Sequence, residues 1–361
     1  MDPKMIEKLL DSDVVFDWIP EDVQATIDAR DTWLADLPPD QAGLAFLVSD
    51  LQRWTPGTVV TVAFLGGSST LHREIADATK EITDIANLTL DFGPNAAAGQ
   101  FRTWTTDDAV YSADIRVSFD RAGNFSLVGT DSISESIGLP TQAVGGRPHQ
   151  RTLNLGGFDV RKPVRWQGTT RHEFLHAVGF QHSHQNMRGP CEAEFRWEDD
   201  DGYVPTRDAD GRFIPDADGR RPGVYTYASG FPNNWDRAKV DHNLRTRELP
   251  GLVAGPFDRA SVMLYRFEAL FYKSQPSPCA PTGNGINLSA GDARALRLLY
   301  PTIGADLATV AARSTALLNT IGAEARTDIG LEDASPNRSF AVDAARVLRQ
   351  RIADLGRSST V

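Results

Sequence analysis

An α+β fold is what this 361-residue sequence predicts, and three features of its patterning carry that expectation. An alternating apolar stretch is followed by apolar residues at helical spacing and then by further alternating stretches. One short segment sets histidines at the spacing of a helix face. A long region between about residues 185 and 258 is rich in turn-forming residues and lacks either period.

Residues 1–50 carry helical patterning broken at Pro20, Pro38 and Pro39. They read as an N-terminal extension or prosegment, in which none of the many aspartates is singled out as a metal-masking acid. Residues 58–64 alternate as a strand. Leu71, Ile75, Ile82 and Ile85 then recur at helical spacing behind the cap candidates Ser68, Ser69 and Thr70. Strands are expected at 88–92 and at 113–119, the latter with Ile115, Val117 and Phe119 on one face. Segments 125–130 and 151–155 are the remaining strand candidates, and 125–130 is chosen as the exposed edge that an extended chain could join. Ser289, with Asp292 three residues on and Leu288 as a staple, starts a helix over 289–299 that Pro301 ends. The tail is Ala-rich, and Val347, Leu348, Ile352 and Leu355 form one apolar stripe expected to dock on the body. The expected organisation is an extension over 1–50, a body over 51–301 carrying the insert at about 185–258, and a helical tail over 302–361.

The most informative stretch is His172-Glu-Phe-Leu-His176-Ala-Val-Gly179-Phe-Gln-His182. On a helix, residues four apart lie about 40° apart around the axis and about 6 Å along it, so His172 and His176 can reach one ion. A catalytic zinc takes three protein ligands and keeps a fourth position for water. His182 is the natural third, but on a continuous helix it would sit about 9 Å along the axis from His176. Gly179 resolves this by taking positive φ and turning the chain back. Glu173 is then placed to accept a proton from the water that the metal activates. Two blander readings compete: Thr170 and Glu173 also fit a capping box for a helix starting at 171, and a closed structural zinc site is the other, although such sites favour cysteine-rich sets. His184, two residues past the third histidine, is a rival ligand, read instead as a supporting or exposed residue.

This HExxHxxGxxH pattern resembles the metzincin clan of zinc metallopeptidases. Ser261-Val-Met263-Leu-Tyr265 resembles that clan's Met-turn in the form seen in astacins and serralysins. The resemblance implies His172, His176 and His182 as ligands of one catalytic zinc, Glu173 as general base, and Met263 as a hydrophobic floor beneath the imidazoles. It implies Tyr265 as a switchable fifth ligand or a phenol that hydrogen-bonds the tetrahedral intermediate. Trp54-Thr-Pro-Gly-Thr-Val resembles these enzymes' opening strand, and Leu288 to Tyr300 their closing helix. Ser183 stands where astacins carry a Glu that pairs with the mature N-terminus, so that activation route is not expected. The implied fold is a zincin-like twisted mixed sheet with an active-site helix, an irregular lower subdomain and helical extensions at both ends. The implied activity is zinc-dependent endopeptidase action on peptides or proteins; the alternative is a catalytically silent zinc-containing binding protein of the same fold.

Composition bounds the rest. A net charge of −11 argues against nucleic acid as a partner and weakly favours cationic substrates. No apolar run approaches the roughly 18 residues of a membrane span. The first 20 residues lack a signal-peptide core, which leaves an intracellular protein or an exported one whose signal is absent from this sequence. Nothing in the pattern sets the oligomeric state. Cys191 and Cys279 could form one disulfide or remain two buried thiols. Asp208-Ala-Asp-Gly211 and Asp216-Ala-Asp-Gly219 echo one another; tight turns explain them better than calcium, because Thr206 and Ile214 stand where a calcium loop needs acids.

Overall fold

The computed structural model describes residues 17–36, 51–186, 188–231, 233–246, 255–327 and 336–358. Its centre is a five-stranded mixed sheet in the order β2-β1-β3-β5-β4. These strands are β1 (Val59–Leu65), β2 (Thr89–Asp91), β3 (Ile115–Ser118), β4 (Asn124–Ser126) and β5 (Leu153–Leu155). The first four in spatial order run parallel, and β4 pairs antiparallel to β5 at the edge. Helix α1 (Glu21–Asp36) precedes the sheet, α2 (Ser69–Thr83) crosses between β1 and β2, and α3 (Trp166–Ala177) follows β5. Ser68 caps α2 by accepting the Leu71 N–H at 3.2 Å. Leu71, Ile75 and Ile82 lie on the buried face of α2, against Val60, Val62 and Phe64 of β1 and Ile115 and Val117 of β3. Phe174 and Leu175 of α3 enter the same core.

The sheet edge falls where expected, with shorter bounds. The strand within 125–130 stops at Ser126, and Gly129–Ile133 is a 3-10 turn. Gly129 has φ +52, and a Cβ there would come within 1.6 Å of the Gln52 carbonyl oxygen, so the chain cannot continue as strand past this close approach.

Below the sheet, the turn-rich insert is more structured than its sequence suggested. It holds α4 (Cys191–Glu194), the hairpin β6 (Thr206–Arg207) and β7 (Phe213–Ile214), α5 (Val224–Ala228) and α6 (Arg237–Leu244). A separate core of Phe195, Tyr227, Trp235, Val240, Phe267 and Phe271 holds it together. The disulfide Cys191–Cys279 lies in that core and settles the choice between bridge and free thiols. The two Asp-Gly echoes are tight turns: Asp208 Oδ1 accepts from the N–H groups of Asp210 and Arg212, and Asp216 Oδ1 from those of Asp218 and Arg220. Their carboxylates are thus engaged by the backbone, which weighs further against the calcium reading.

The closing helix α7 (Ala290–Leu299) has the expected box, with Ser289 and Asp292 bonded reciprocally. Helices α8 (Gly304–Thr327) and α9 (Pro336–Ser358) form a hairpin. Leu348 and Leu355 are buried as the stripe requires, with Val347 and Ile352 partly covered. Asp343 of α9 accepts from Ser134 Oγ and the Ser136 N–H, and Arg351 donates to the Leu51 and Arg53 carbonyls, so the tail docks on the body. At the N-terminus, Pro20 does not break a helix but immediately precedes α1; Pro38 and Pro39 lie outside the described residues. No helix among the described residues is long and apolar enough to cross a membrane.

Helix α3 approaches the 283–286 loop so closely that a Cβ on Gly168 would lie 1.9 Å from the Gly285 carbonyl oxygen. Gly168→Ala should therefore lower stability by about 2 kcal/mol through overpacking, although alanine is the better helix former by roughly 1 kcal/mol. Urea unfolding checks this; an unchanged or raised midpoint would contradict the close approach.

Candidate metal centre

Helix α3 starts at Trp166, five residues before the start that a capping box at Thr170 requires. Thr170 instead donates its hydroxyl to the Trp166 carbonyl inside the helix, so that bland reading of Glu173 is excluded. The helix ends at Ala177, and its last carbonyls find fixed partners. The Trp54 indole donates to Ala177 O at 2.8 Å and the Tyr300 hydroxyl to Val178 O at 2.7 Å. Gly179 follows with φ +98. A Cβ there would meet nothing closer than 3.7 Å, so conformation rather than space demands the glycine.

The turn brings His182 back onto the helix face. His176 Nε2 lies 3.2 Å from His172 Nε2 and 3.1 Å from His182 Nε2. Ligand nitrogens at roughly 2.0–2.1 Å around a tetrahedral zinc stand about 3.3 Å apart, so the spacing fits that ion. Each ring is held by its other nitrogen. His172 Nδ1 meets Val262 O at 2.9 Å, His176 Nδ1 meets Phe180 O at 2.7 Å, and His182 Nδ1 meets Gln185 Oε1 at 3.3 Å. With Nδ1 donating outward, Nε2 presents its lone pair inward, as a metal ligand must. Burial drives the His182 imidazole well below its ordinary pKa, towards that neutral form.

A fourth donor comes from the N-terminal segment. Asp17 Oδ2 lies 3.0 Å from His176 Nε2 and 2.9 Å from His182 Nε2, and its Oδ1 lies 3.6 Å from His172 Nε2. Asp17, His172, His176 and His182 are the one set of three or more metal-capable side chains among the described residues. Burial would raise the Asp17 pKa, but the imidazoles around it hold it well below the carboxylate range. The Asp17 backbone forms a bridge with Asn124, and Trp18 N–H donates to Asn124 O at 2.8 Å. The exposed edge of β4 is thereby covered. Val23 and Ile27 of α1 share a core with Phe125 and Leu127.

Glu173 is 1% exposed, and its Oε2 has no hydrogen-bond partner among the described residues. Burial, and then the neighbouring Asp17 charge, push its pKa well above the ordinary value. Tyr265 Oη accepts the Asp17 N–H at 2.8 Å, and the ring stacks on His184 with centroids 4.7 Å apart. Burial, reinforced by Asp17, raises the phenol's pKa well above 10 and keeps its O–H.

Met263 is 1% exposed and belongs to the main core with Phe174 and Phe180. Its turn is tied to the ligands through the backbone: Val262 O takes His172, and Met263 O accepts the Ser183 N–H at 3.0 Å. Asp292 holds the turn, accepting from Ser261 Oγ at 2.5 Å and the Val262 N–H at 3.1 Å. A second use for this capping-box acid was not signalled by the sequence. His184 is not exposed: it is 1% accessible, its Nε2 bonds Asn243 O at 2.8 Å, and burial lowers its pKa to about 4. It stands outside the metal-capable set. Gln185, which orients His182, and Asp17 are site residues that the sequence did not single out.

No protein-family model matches the chain, and no curated protein does. Among solved structures, it is similar to one of myroilysin at 24% identity, covering 71% of this chain and 98% of that one with a TM-score of 0.48. A second myroilysin structure gives 24% identity, 69% and 86% coverage and a TM-score of 0.42. High choriolytic enzyme 1, a hatching enzyme zinc-protease of the medaka fish Oryzias latipes, gives 16% identity, 69% and 94% coverage and a TM-score of 0.38. These are distant likenesses.

The donor set predicts about one zinc bound per chain. His176→Ala should abolish tight binding, whereas Gln185→Ala, which removes no ligand but loses the contact to His182 and the bond to the His242 carbonyl, should weaken it about 10–100-fold. Competition with a chromophoric chelator measures both; full affinity in His176→Ala would rule out this donor set.

Proposed function

We propose that the chain is a zinc-dependent endopeptidase, described here in a closed form in which Asp17 stands at the substrate's end of the metal site. The convergence of three outward-anchored imidazoles beside the buried, half-unpartnered carboxyl of Glu173 carries this reading. Zinc at these imidazoles would supply Lewis acidity, making water a nucleophile near neutral pH and polarising the scissile carbonyl.

The protein's own groups perform the remaining tasks. With Asp17 and Trp18 withdrawn, the edge of β4 can hold an extended peptide by backbone hydrogen bonds. Glu173 takes a proton from the attacking water and passes it to the departing amine nitrogen. Burial, the largest cause of its raised pKa in the closed form, suits an acid-base group that must both receive and release a proton. Tyr265, its O–H retained, donates to the carbonyl oxygen as negative charge develops there. His172, His176 and His182 keep their lone pairs aimed at the ion because Val262, Phe180 and Gln185 fix their rings. A silent zinc-binding protein is the second reading; the fourfold donor set that includes Asp17 favours it only if the segment never leaves.

Glu173→Gln should lower kcat by several orders of magnitude while sparing zinc binding. Digestion of a diverse peptide library, read by mass spectrometry, is the check, and near-normal turnover would remove Glu173 from its role. In the full-length chain, Asp17→Ala should raise cleavage of a susceptible peptide at least about tenfold, since about 1.4 kcal/mol of closing free energy already amounts to that factor. Unchanged activity in Asp17→Ala, with the parent chain already active, would remove the closing role.

A further inference from the structure

The closing segment also supplies a cation to a carboxylate that shares a cavity with the metal ligands. Arg30 of α1 is buried, and its Nη1 donates to Oδ1 of Asp131. Asp131 lies in the 3-10 turn just beyond edge strand β4 and is 3% exposed. Its Oδ2 accepts from Gln52 Nε2 at 2.8 Å. Gln52 Oε1 in turn meets Gln181 Nε2 at 3.4 Å, next to the third histidine in the chain. One cavity is lined by Asp131, Gln52, Val128, Asp17, His176 and His182, so this carboxylate and the metal ligands face the same space.

The origin of the partners is what matters. Among the described residues, Asp131 has one guanidinium partner, and the segment that closes the site supplies it; the body supplies only the neutral amide of Gln52. Asp31, which also pairs with Arg30, belongs to the same segment. When that segment withdraws, the carboxylate loses its cation and the cover that α1 gives it, with one oxygen still oriented by Gln52. A carboxylate held in orientation by an amide in this way favours a new cation in the vacated position. On the peptidase reading, a substrate would enter the same cavity and bring one.

On the reading of the site as a peptidase, we propose that Asp131, oriented by Gln52, forms a subsite selecting an arginine or lysine side chain of the substrate, with Arg30 its internal stand-in. The polarity agrees with the chain's net charge of −11, which favours cationic ligands.

The test uses the full chain, carrying a protease-recognition sequence between residues 36 and 51, folded whole, loaded with zinc and then nicked. On a peptide library, Glu173-dependent cuts should show arginine or lysine enriched at one fixed position relative to the scissile bond. For peptides differing only there, kcat/KM should favour arginine over norleucine by about tenfold or more, and Asp131→Asn should collapse that ratio while sparing the norleucine peptide. Glu173-dependent cuts without basic enrichment would overturn the subsite and leave the peptidase reading standing. Absence of cuts would count against the peptidase reading, and the pocket is then judged by binding. N-acetylargininamide should raise the melting temperature of full-length Arg30→Ala where N-acetylnorleucinamide does not, and the effect should vanish in Arg30→Ala/Asp131→Asn. Equal shifts with the two probes would overturn the proposal. Should Asp131→Asn fail to fold, the unmutated library pattern and the probe pair in Arg30→Ala still decide it.

Discussion

The Nε2 atoms of His172 and His182 each lie within hydrogen-bonding distance of His176 Nε2, and much of the surrounding structure bears on keeping the three imidazoles together. Neutral lone pairs so close repel unless a cation or a proton lies between them. The arrangement depends on a helix that stops after Ala177 and a glycine that reverses the chain. Trp54, at the start of the body, and Tyr300, at its end, donate to the last helix carbonyls, so both ends of the body meet at this one helix terminus. Asp292 ties the closing helix to the 261–264 turn, whose carbonyls hold His172 and Ser183. The rigidity of the centre thus comes from segments far apart in sequence, each contributing one or two buried hydrogen bonds that would be costly to leave unmade.

The closed form is built from more than a contact at the centre. Asp17 and Glu173 place two carboxyl groups in one buried space, a repulsive pairing unless one is protonated or a cation intervenes. The segment bearing Asp17 is held by an edge-strand bridge, by Val23 and Ile27 in a small core and by the Arg30–Asp131 ion pair. The C-terminal hairpin adds to this: Trp33 of α1 lies against Phe340 of α9 with ring centroids 6.1 Å apart. Withdrawal of the segment would therefore expose apolar surface and separate the Arg30–Asp131 pair together, so opening is not a small fluctuation of a loose tail.

What the sequence made legible was local. Helix spacing put His172 and His176 on one face, Gly179 marked the reversal, and Ser289 with Asp292 wrote a complete capping box; each is a relation within a few residues. The strands were legible from alternation, and their order was not, because pairing β5 between β3 and β4 depends on contacts between distant segments. Asp17 could not be picked out from its neighbours for the same reason: its amide meets Tyr265 across 248 residues of chain. Gln185 and Gln52 look like surface glutamines in sequence and acquire roles only from the groups that folding sets beside them. His184 was misjudged in part, since a histidine after a turn reads as exposed until α6 supplies a carbonyl to bury it against.

The most direct measurement is X-ray absorption at the zinc edge on the full-length, zinc-loaded chain. Three imidazole nitrogens and one carboxylate oxygen at about 2.0–2.1 Å should form the coordination shell, with the oxygen donor changing from carboxylate to water in Asp17→Ala and the imidazoles retained. A shell with fewer than three imidazoles, or one unaltered by removing Asp17, would contradict the claim that these histidines form the metal centre and that the N-terminal segment closes it.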